Sequence, residues 1–162
     1  LVDVAGGSPV AGLDGRSFKD VLLGTATRHS QFIFASHTGD GEMNVFPQRC
    51  VRDARWKLIF NLKPENKWTT HFTKVMDIPG SHGDVYATWL EKAKTDAATA
   101  RLIEALEHHP QFELYDTESD PFELTNLADK PKHRERVNEL RSQLLGWLQQ
   151  QGDGEAVGLL RR

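Results

Sequence analysis

The stretch that decides the fold reads Glu113-Leu114-Tyr115-Asp116, then Asp120-Pro121, Glu123 and Asn126-Leu127-Ala128. Leu114 and Tyr115 are typical of a β-strand. The Asp-Pro pair is typical of a turn, because proline cannot donate a hydrogen bond to a neighbouring strand. Asn126 is suited to a left-handed backbone position, which its short polar side chain tolerates. We therefore predict a strand that a turn connects to the terminal helix.

The terminal helix is predicted for residues 132–150. Its apolar residues fall on one stripe at helical spacing, which predicts packing across a sheet; they are Val137, Leu140, Leu144 and Leu148. The chain after Gly152 is predicted to be a frayed tail, residues 151–162, because its glycines disfavour a helix.

Three more strands are predicted upstream, at residues 31–37, 46–53 and 55–62. The last of them alternates large apolar residues with other types, which is typical of a strand with one face on a core. The connections are short except for an excursion over residues 63–110, where two helices are predicted to begin near Asp84 and Asp96. The fold class is therefore α+β, with a small four-stranded antiparallel sheet packed against a C-terminal helix and extra helices in the excursion.

Length and charge limit the classes of function. A chain of 162 residues is long enough for one hydrophobic core. The formal net charge of −3 at pH 7 gives no global reason to expect nucleic acid or a membrane as a partner. No apolar run has the length of a membrane span. The single cysteine, Cys50, excludes an intramolecular disulfide and is expected to be a small buried strand residue rather than a catalytic thiol.

The first residues, Leu1 to Gly7, read like the end of an apolar helix at its glycine stop. We therefore expect the chain to be a fragment of a longer protein.

Taken together, the ordered string ELYDxxxDPxExxNLA resembles the closing segment of the sulfatase family, in the alkaline-phosphatase superfamily. A second stretch, residues 13–24, is similar to the segment that leaves the large N-terminal domain of sulfatases. A third, residues 47–62, resembles a hairpin of their small domain. The Asn61-Leu62 ending of that hairpin and the later segment around Trp89 most resemble the heparan N-sulfatase (sulfamidase)-like branch.

This resemblance implies a division of the chain. Residues 1–30 would be a linker and short helix from the end of a missing N-terminal catalytic domain. Residues 31–150 would be the sulfatase C-terminal subdomain, which braces the catalytic domain and shapes its pocket. Such a subdomain would belong to an enzyme that hydrolyses sulfuric esters or sulfamates, on a sulfated glycan, and would be inactive alone.

The resemblance also implies calcium and a formylglycine nucleophile for the full-length enzyme. Both would lie outside this chain, because Cys50 stands in Gln48-Arg49-Cys50-Val51-Arg52 and lacks the Cys-x-Pro-Ser-Arg pattern from which formylglycine is made. The seven histidines lack the spacing and carboxylate clustering of a metal site. No catalytic or metal-binding residue is therefore predicted here.

Three residues are hypothetical substrate-lining groups: His37, Glu42 and Arg49. His37 ends a predicted strand, and in the sulfamidase-like branch the loop that follows this strand lies at the mouth of the active site. Glu42 lies in that loop and Arg49 is close in sequence. A basic cluster could contact a sulfated sugar or form the solvated side of a hairpin; it comprises Arg49, Arg52, Arg55 and Lys57.

Two other functions stay open. The chain could be a subdomain of a phosphonate or phosphate monoester hydrolase of the same superfamily, which a different upstream nucleophile would reveal. It could also be a stand-alone module that binds glycans or other polyanions, with salt-sensitive binding. For a sulfatase subdomain, the expected partners are the missing catalytic domain and a sulfated glycan. Self-association through the exposed interface is a further expectation, and the family implies an exported or periplasmic location.

Overall fold

The computed structural model describes residues 1–8, 10–13, 15–39, 45–74, 80 and 82–162. The chain divides into two compact units, Leu1–Ile33 and Phe34–Arg162. The first unit contains the short helix α1, Lys19–Leu22. The Lys19 ammonium donates a hydrogen bond to the Asp3 carbonyl at 3.0 Å, which connects α1 to the first turn of the chain.

Four strands form the sheet of the molecule: β1 (Ile33–His37), β2 (Gln48–Arg52), β3 (Trp56–Asn61) and β4 (Phe112–Asp116). Their order in the sheet is β1-β2-β3-β4, so β4 is an outer strand. The pairs β2–β3 and β3–β4 are antiparallel, and Leu58 lies opposite both Val51 and Leu114. The predicted α+β fold with a four-stranded antiparallel sheet is confirmed.

Four further helices follow: α2 (His82–Ala93), α3 (Ala97–Glu107), α4 (Arg134–Gln151) and α5 (Gly154–Leu160). Asp96 begins α3 as predicted, because its carboxylate accepts a hydrogen bond from Thr99 N at 2.7 Å. The helix predicted to be capped by Asp84 starts two residues earlier, and Asp84 lies in its first turn. None of the helices in the described part of the chain is both long and apolar enough to span a membrane.

The core lies between α4 and one face of the sheet. Leu58, Phe60 and Leu114 are fully buried there. α4 packs against β2 and β3 through the predicted stripe of Val137, Leu140, Leu144 and Leu148. Burying each such leucine stabilises the fold by about 2 kcal/mol. The stripe is therefore core, as its helical spacing predicts.

The prediction of a frayed tail after Gly152 is wrong, because helix α5 occupies most of it. Gly152 ends α4 in the left-handed conformation, with φ at 71°, and the chain then turns back. The carboxylate of Asp153 accepts a hydrogen bond from Ala156 N at 3.1 Å and caps α5. Ala156 and Leu160 are buried, so packing of this one helical face outweighs the low helix propensity of the glycines.

The prediction of a left-handed backbone at Asn126 is also wrong. Among the described non-glycine residues the positive φ belongs to Glu123, at 55°. The Asn126 side chain instead acts as a short piece of strand beside β4. Its amide oxygen accepts from Leu114 N at 2.9 Å, and its amide nitrogen donates to the Phe112 carbonyl at 3.0 Å. The outer edge of β4 is thereby paired without a further strand.

Replacing Asn126 by Ala is expected to lower the free energy of unfolding by about 2 kcal/mol, since the buried Leu114 N–H then loses its partner. Chemical denaturation in urea measures this change. Asn138→Ala is the matched control. Asn138 is exposed on α4, so its replacement should change stability by less than about 0.5 kcal/mol. Equal effects of the two substitutions would contradict the role assigned to Asn126.

Candidate functional site

Within the second unit, an aromatic stack extends from the end of β1 to the segment before β4. The His37 ring lies 4.9 Å from that of Phe46, and Phe46 stacks on Trp68 at 3.9 Å. Trp68 in turn stacks on His109 at 3.6 Å. We call these four rings the aromatic stack. It holds the two ends of the loop after β1 against the segment that precedes β4, so the ends of that loop are fixed by packing.

The far end of the aromatic stack contacts a buried carboxylate. His109 Nδ1 lies 3.2 Å from Glu113 Oε1, which also accepts a hydrogen bond from Asn61 Nδ2 at 2.6 Å. The other carboxylate oxygen accepts from the Tyr115 hydroxyl at 2.5 Å. Glu113 is only 3% exposed. We call His109, Asn61, Glu113 and Tyr115 the Glu113 cluster.

In the Glu113 cluster, the pKa of Glu113 is lowered and the pKa of Tyr115 is raised. Burial alone would raise the pKa of Glu113, but the hydrogen bonds from His109, Tyr115 and Asn61 outweigh burial, and the net pKa lies below its usual range. Burial and the neighbouring Glu113 carboxylate raise the pKa of the Tyr115 hydroxyl. The cluster therefore holds an ionised acid beside a neutral phenol. His109, Asn61 and Tyr115 each contact this carboxylate, which is an arrangement for holding a structure together.

Arg49 occupies a buried position on β2, with 8% exposure. Its Nε donates to Asp153 Oδ2 at 2.6 Å, which joins the sheet to the start of α5. Its Nη1 donates to the carbonyl oxygens of His37 and Gln48, each at 2.8 Å. The guanidinium thus connects three segments of the protein, and its partners are all groups of this chain.

The structure therefore brings together two of the three predicted substrate-lining residues. Arg49 binds the backbone of His37, and the His37 ring begins the aromatic stack. Glu42 lies outside the described residues. Contact of any of the three with a substrate stays a prediction.

Two more members of the predicted basic cluster, Arg55 and Lys57, form ion pairs, whereas Arg52 is exposed and has no ion pair among the described residues. Arg55 forms a two-pronged pair with the Asp116 carboxylate, at 2.9 and 2.6 Å, and the Arg55 guanidinium holds the pKa of Asp116 far below its usual range. Lys57 Nζ lies 2.6 Å from Glu123. These two contacts join β3 and the residue before it to the end of β4 and to the turn region that follows it, so they stabilise the fold of the quoted string.

Sequence reasoning missed the aromatic stack and the Glu113 cluster. Phe46 and Trp68 lie in irregular segments, where no periodicity indicates which rings will meet. Glu113 and Tyr115 alternate with Leu114, so the strand period does place them on the same face of the sheet. What the sequence lacks is the strand register that brings Asn61 close to them.

Metal ligands do not converge in the described part of the chain: no group of three His, Cys, Asp or Glu side chains there could hold a metal ion. Cys50 is half-buried, and burial raises the pKa of its thiol. A thiol with a raised pKa is a poor nucleophile.

No family model matches the chain. Two curated proteins, both called ulvan-active sulfatase and both from Formosa agariphila, are 27% and 31% identical to it over 155 and 158 residues. Each match covers 94% of this chain. The solved structure of a 2-O GAG sulfatase shares the fold, with a TM-score of 0.57 and 21% identity over 94% of this chain.

By sequence and by fold, the chain matches the sulfatases. The resemblance that the quoted string carries is thereby confirmed at the level of the family. The chain spans about a quarter of the length of the curated relatives it matches, 28% and 24%. That share is consistent with a C-terminal subdomain. The comparisons do not separate a sulfamidase-like branch from other sulfatases.

Replacing Glu113 by Gln is expected to lower the free energy of unfolding at pH 7 by about 2 kcal/mol. The reason is that an amide NH₂ group then stands where a carboxylate oxygen accepted hydrogen bonds from the neighbouring side chains. The native carboxylate has a depressed pKa, so its contribution is complete above the ordinary glutamate pKa of 4.5 and is lost as the pH falls through the lower folded value. The difference between the two proteins should therefore be constant from pH 7 down to the ordinary pKa of 4.5 and shrink as the pH falls further.

Urea denaturation at a series of pH values measures that difference. Glu118→Gln is the matched control, since it removes the same charge from a side chain that is 73% exposed. A difference between wild type and Glu113→Gln that stays constant with pH would show that the carboxylate charge does not stabilise the fold.

Proposed function

We propose that this chain is the C-terminal subdomain of a hydrolase that cleaves sulfuric esters on a sulfated polysaccharide. In this proposal the subdomain braces the catalytic domain, shapes the mouth of its pocket and has no activity alone. One observation carries the proposal: the chain is matched over 94% of its length by sulfatases, of which it spans only about a quarter. The residues of the quoted string support it, because they bind one another and the sheet.

The chemistry would then lie in the rest of the polypeptide. Cys50 has neither the sequence context of a formylglycine precursor nor the low pKa of an activated thiol. The described residues offer no fitting ligand set for the calcium that the family implies. Both the formylglycine and the calcium site are therefore proposed for the catalytic domain, and this chain supplies neither.

The substrate class rests on the relatives. The curated relatives are ulvan-active sulfatases, and the structural neighbour is a 2-O GAG sulfatase. These names favour an O-sulfated polysaccharide for this protein. The Asn61-Leu62 ending and the Trp89 segment favour a sulfamate instead, as in the sulfamidase-like branch. Parallel assays with an O-sulfated and an N-sulfated disaccharide distinguish the two.

The partner of this subdomain would be the catalytic domain of the same protein. Three exposed apolar side chains support this: Leu102, Phe122 and Leu124, which are 61%, 80% and 72% exposed. Leu102 and Leu124 line the same cavity, on the α3 side of the sheet. Large apolar side chains grouped in this way mark contact surfaces. In the chain alone, the same surface would promote self-association.

The activity itself is tested with the full-length parent protein and with this chain alone. The parent is expected to hydrolyse an aryl sulfate, and the chain alone is expected to give no rate above the uncatalysed reaction. The control is a parent in which the formylglycine precursor is replaced by Ala. Cleavage of the aryl sulfate by the chain alone would refute the proposal, and a parent that cleaves only phosphate monoesters would establish the alternative hydrolase.

A second experiment tests the loop after β1. The aromatic stack and the bond from Arg49 to the His37 carbonyl fix His37 at the start of this loop, and loops on a rigid sheet often carry binding residues. In the parent, His37→Ala and Glu42→Ala are expected to raise KM for the polysaccharide severalfold and to leave kcat for a small aryl sulfate unchanged.

His71→Ala is the matched control, because His71 is exposed and lies in a separate irregular segment. Polysaccharide turnover that is unchanged in both loop variants would exclude His37 and Glu42 from the substrate site. Arg49 is not informative in this assay, since its replacement would also break the bond to Asp153.

A further inference from the structure

A second concave surface lies beside α4, remote in sequence from the loop after β1. Its volume is about 380 Å³, and it is formed by the segment before α4, by one side of that helix and by Phe112. Three cationic side chains line it, Lys130, Arg134 and Arg141, against a single carboxylate, Asp129. We call this feature the basic cavity.

In the described part of the chain, none of the three cations forms an ion pair with a carboxylate. Among the described residues, neither Lys130 nor Arg134 lies within ion-pair distance of a carboxylate. Arg136 on the same helix shows the contrast, because it pairs with both Asp53 and Glu139. Lys130 and Arg134 are exposed, so their charge faces solvent at the rim of the cavity.

Arg141 is held in place at the cavity wall. Its guanidinium carbon lies 4.5 Å from the centre of the Phe112 ring, and Nη2 donates to the Leu160 carbonyl at 2.9 Å. The stacking and the hydrogen bond restrict its rotamers, so a ligand would lose little side-chain entropy when it binds there. The Arg141 side chain held in this way lines the basic cavity.

The uncharged residues that line the basic cavity indicate which kind of anionic ligand it would bind. Val137 and Pro131 provide apolar surface, and Asn138 provides an exposed amide. Cations bind sulfate oxygens, an amide binds hydroxyl groups, and apolar side chains contact the C–H face of a sugar ring. The ring of Phe112 is already in contact with Arg141 and with Phe60, at 5.1 Å, so it offers no platform for a nucleobase.

We propose that the basic cavity binds a sulfate-bearing sugar unit of a polysaccharide. The inference rests on the proposed function for the choice of polymer, and on the uncompensated charges for the place of binding. Such a contact would keep a long anionic chain attached to the protein, at an affinity that falls with ionic strength.

Binding of dextran sulfate to this chain, measured by isothermal titration calorimetry at low salt, tests the proposal. The double variant Lys130→Glu/Arg134→Glu is expected to bind about tenfold more weakly, because two attractions become repulsions. The matched control is Lys92→Glu/Lys94→Glu, which makes the same change in net charge at exposed positions at the end of α2 and should bind like wild type. Uncharged dextran should not bind.

A second measurement needs no variant. Acetylation of individual lysines by an N-hydroxysuccinimide ester, read by mass spectrometry, should slow at Lys130 when dextran sulfate is present and stay unchanged at Lys92. Equal protection of the two lysines, or equal weakening in the two double variants, would overturn the proposal. The proposal would also be overturned if a DNA duplex, compared at the same total negative charge, bound to the chain as tightly as dextran sulfate does.

The calorimetry and the acetylation measure binding only and do not require sulfatase activity. A parent protein without sulfatase activity would refute the proposed function while leaving the binding result intact.

Discussion

The outer edge of β4 is the constraint on which the rest of the second unit depends. β4 is the last strand of the sheet. If the N–H and C=O groups on its outer edge were unpaired, a strand of another chain could pair with them. The amide of Asn126 pairs with the Leu114 N–H and the Phe112 carbonyl, and Leu127 N donates to the Leu114 carbonyl at 2.8 Å. These bonds also direct the chain toward α4, which then covers one face of the sheet.

Within β4, alternate residues serve different faces of the sheet. Leu114 is fully buried in the core, whereas Glu113 and Tyr115 belong to the Glu113 cluster on the opposite face. Asp116 ends the strand in its pair with Arg55. Glu113, Tyr115, Asp116 and Asn126 of the quoted string are therefore each fixed by side-chain contacts inside this chain. The string's resemblance to the closing segment of sulfatases is thus carried partly by residues that hold the fold together.

The sequence predicts those parts of the fold that depend on period and on local turns. The strands, the stripe on α4 and the cap at Asp96 all follow from residues near each other in the chain. The two wrong predictions, at Asn126 and in the tail after Gly152, concern residues whose structure depends on partners far away in the sequence. Asn126 acts through Leu114 in β4, which lies twelve residues earlier in the chain. Helix α5 is stable because Asp153 binds Arg49 from β2 and because Leu160 is buried. No local pattern contains that information.

The same limit applies to the candidate site, where residue type alone misleads. Arg49 and Arg55 have the charge for a sulfated ligand, yet in the structure their guanidinium groups meet Asp153 and Asp116. An arginine whose charge is already compensated gains little by exchanging that carboxylate for a ligand, because it must first lose a short hydrogen bond. Lys130 and Arg134 have no such bond to lose. Uncompensated charge at a concave surface is therefore the stronger indication of an anion site in this protein.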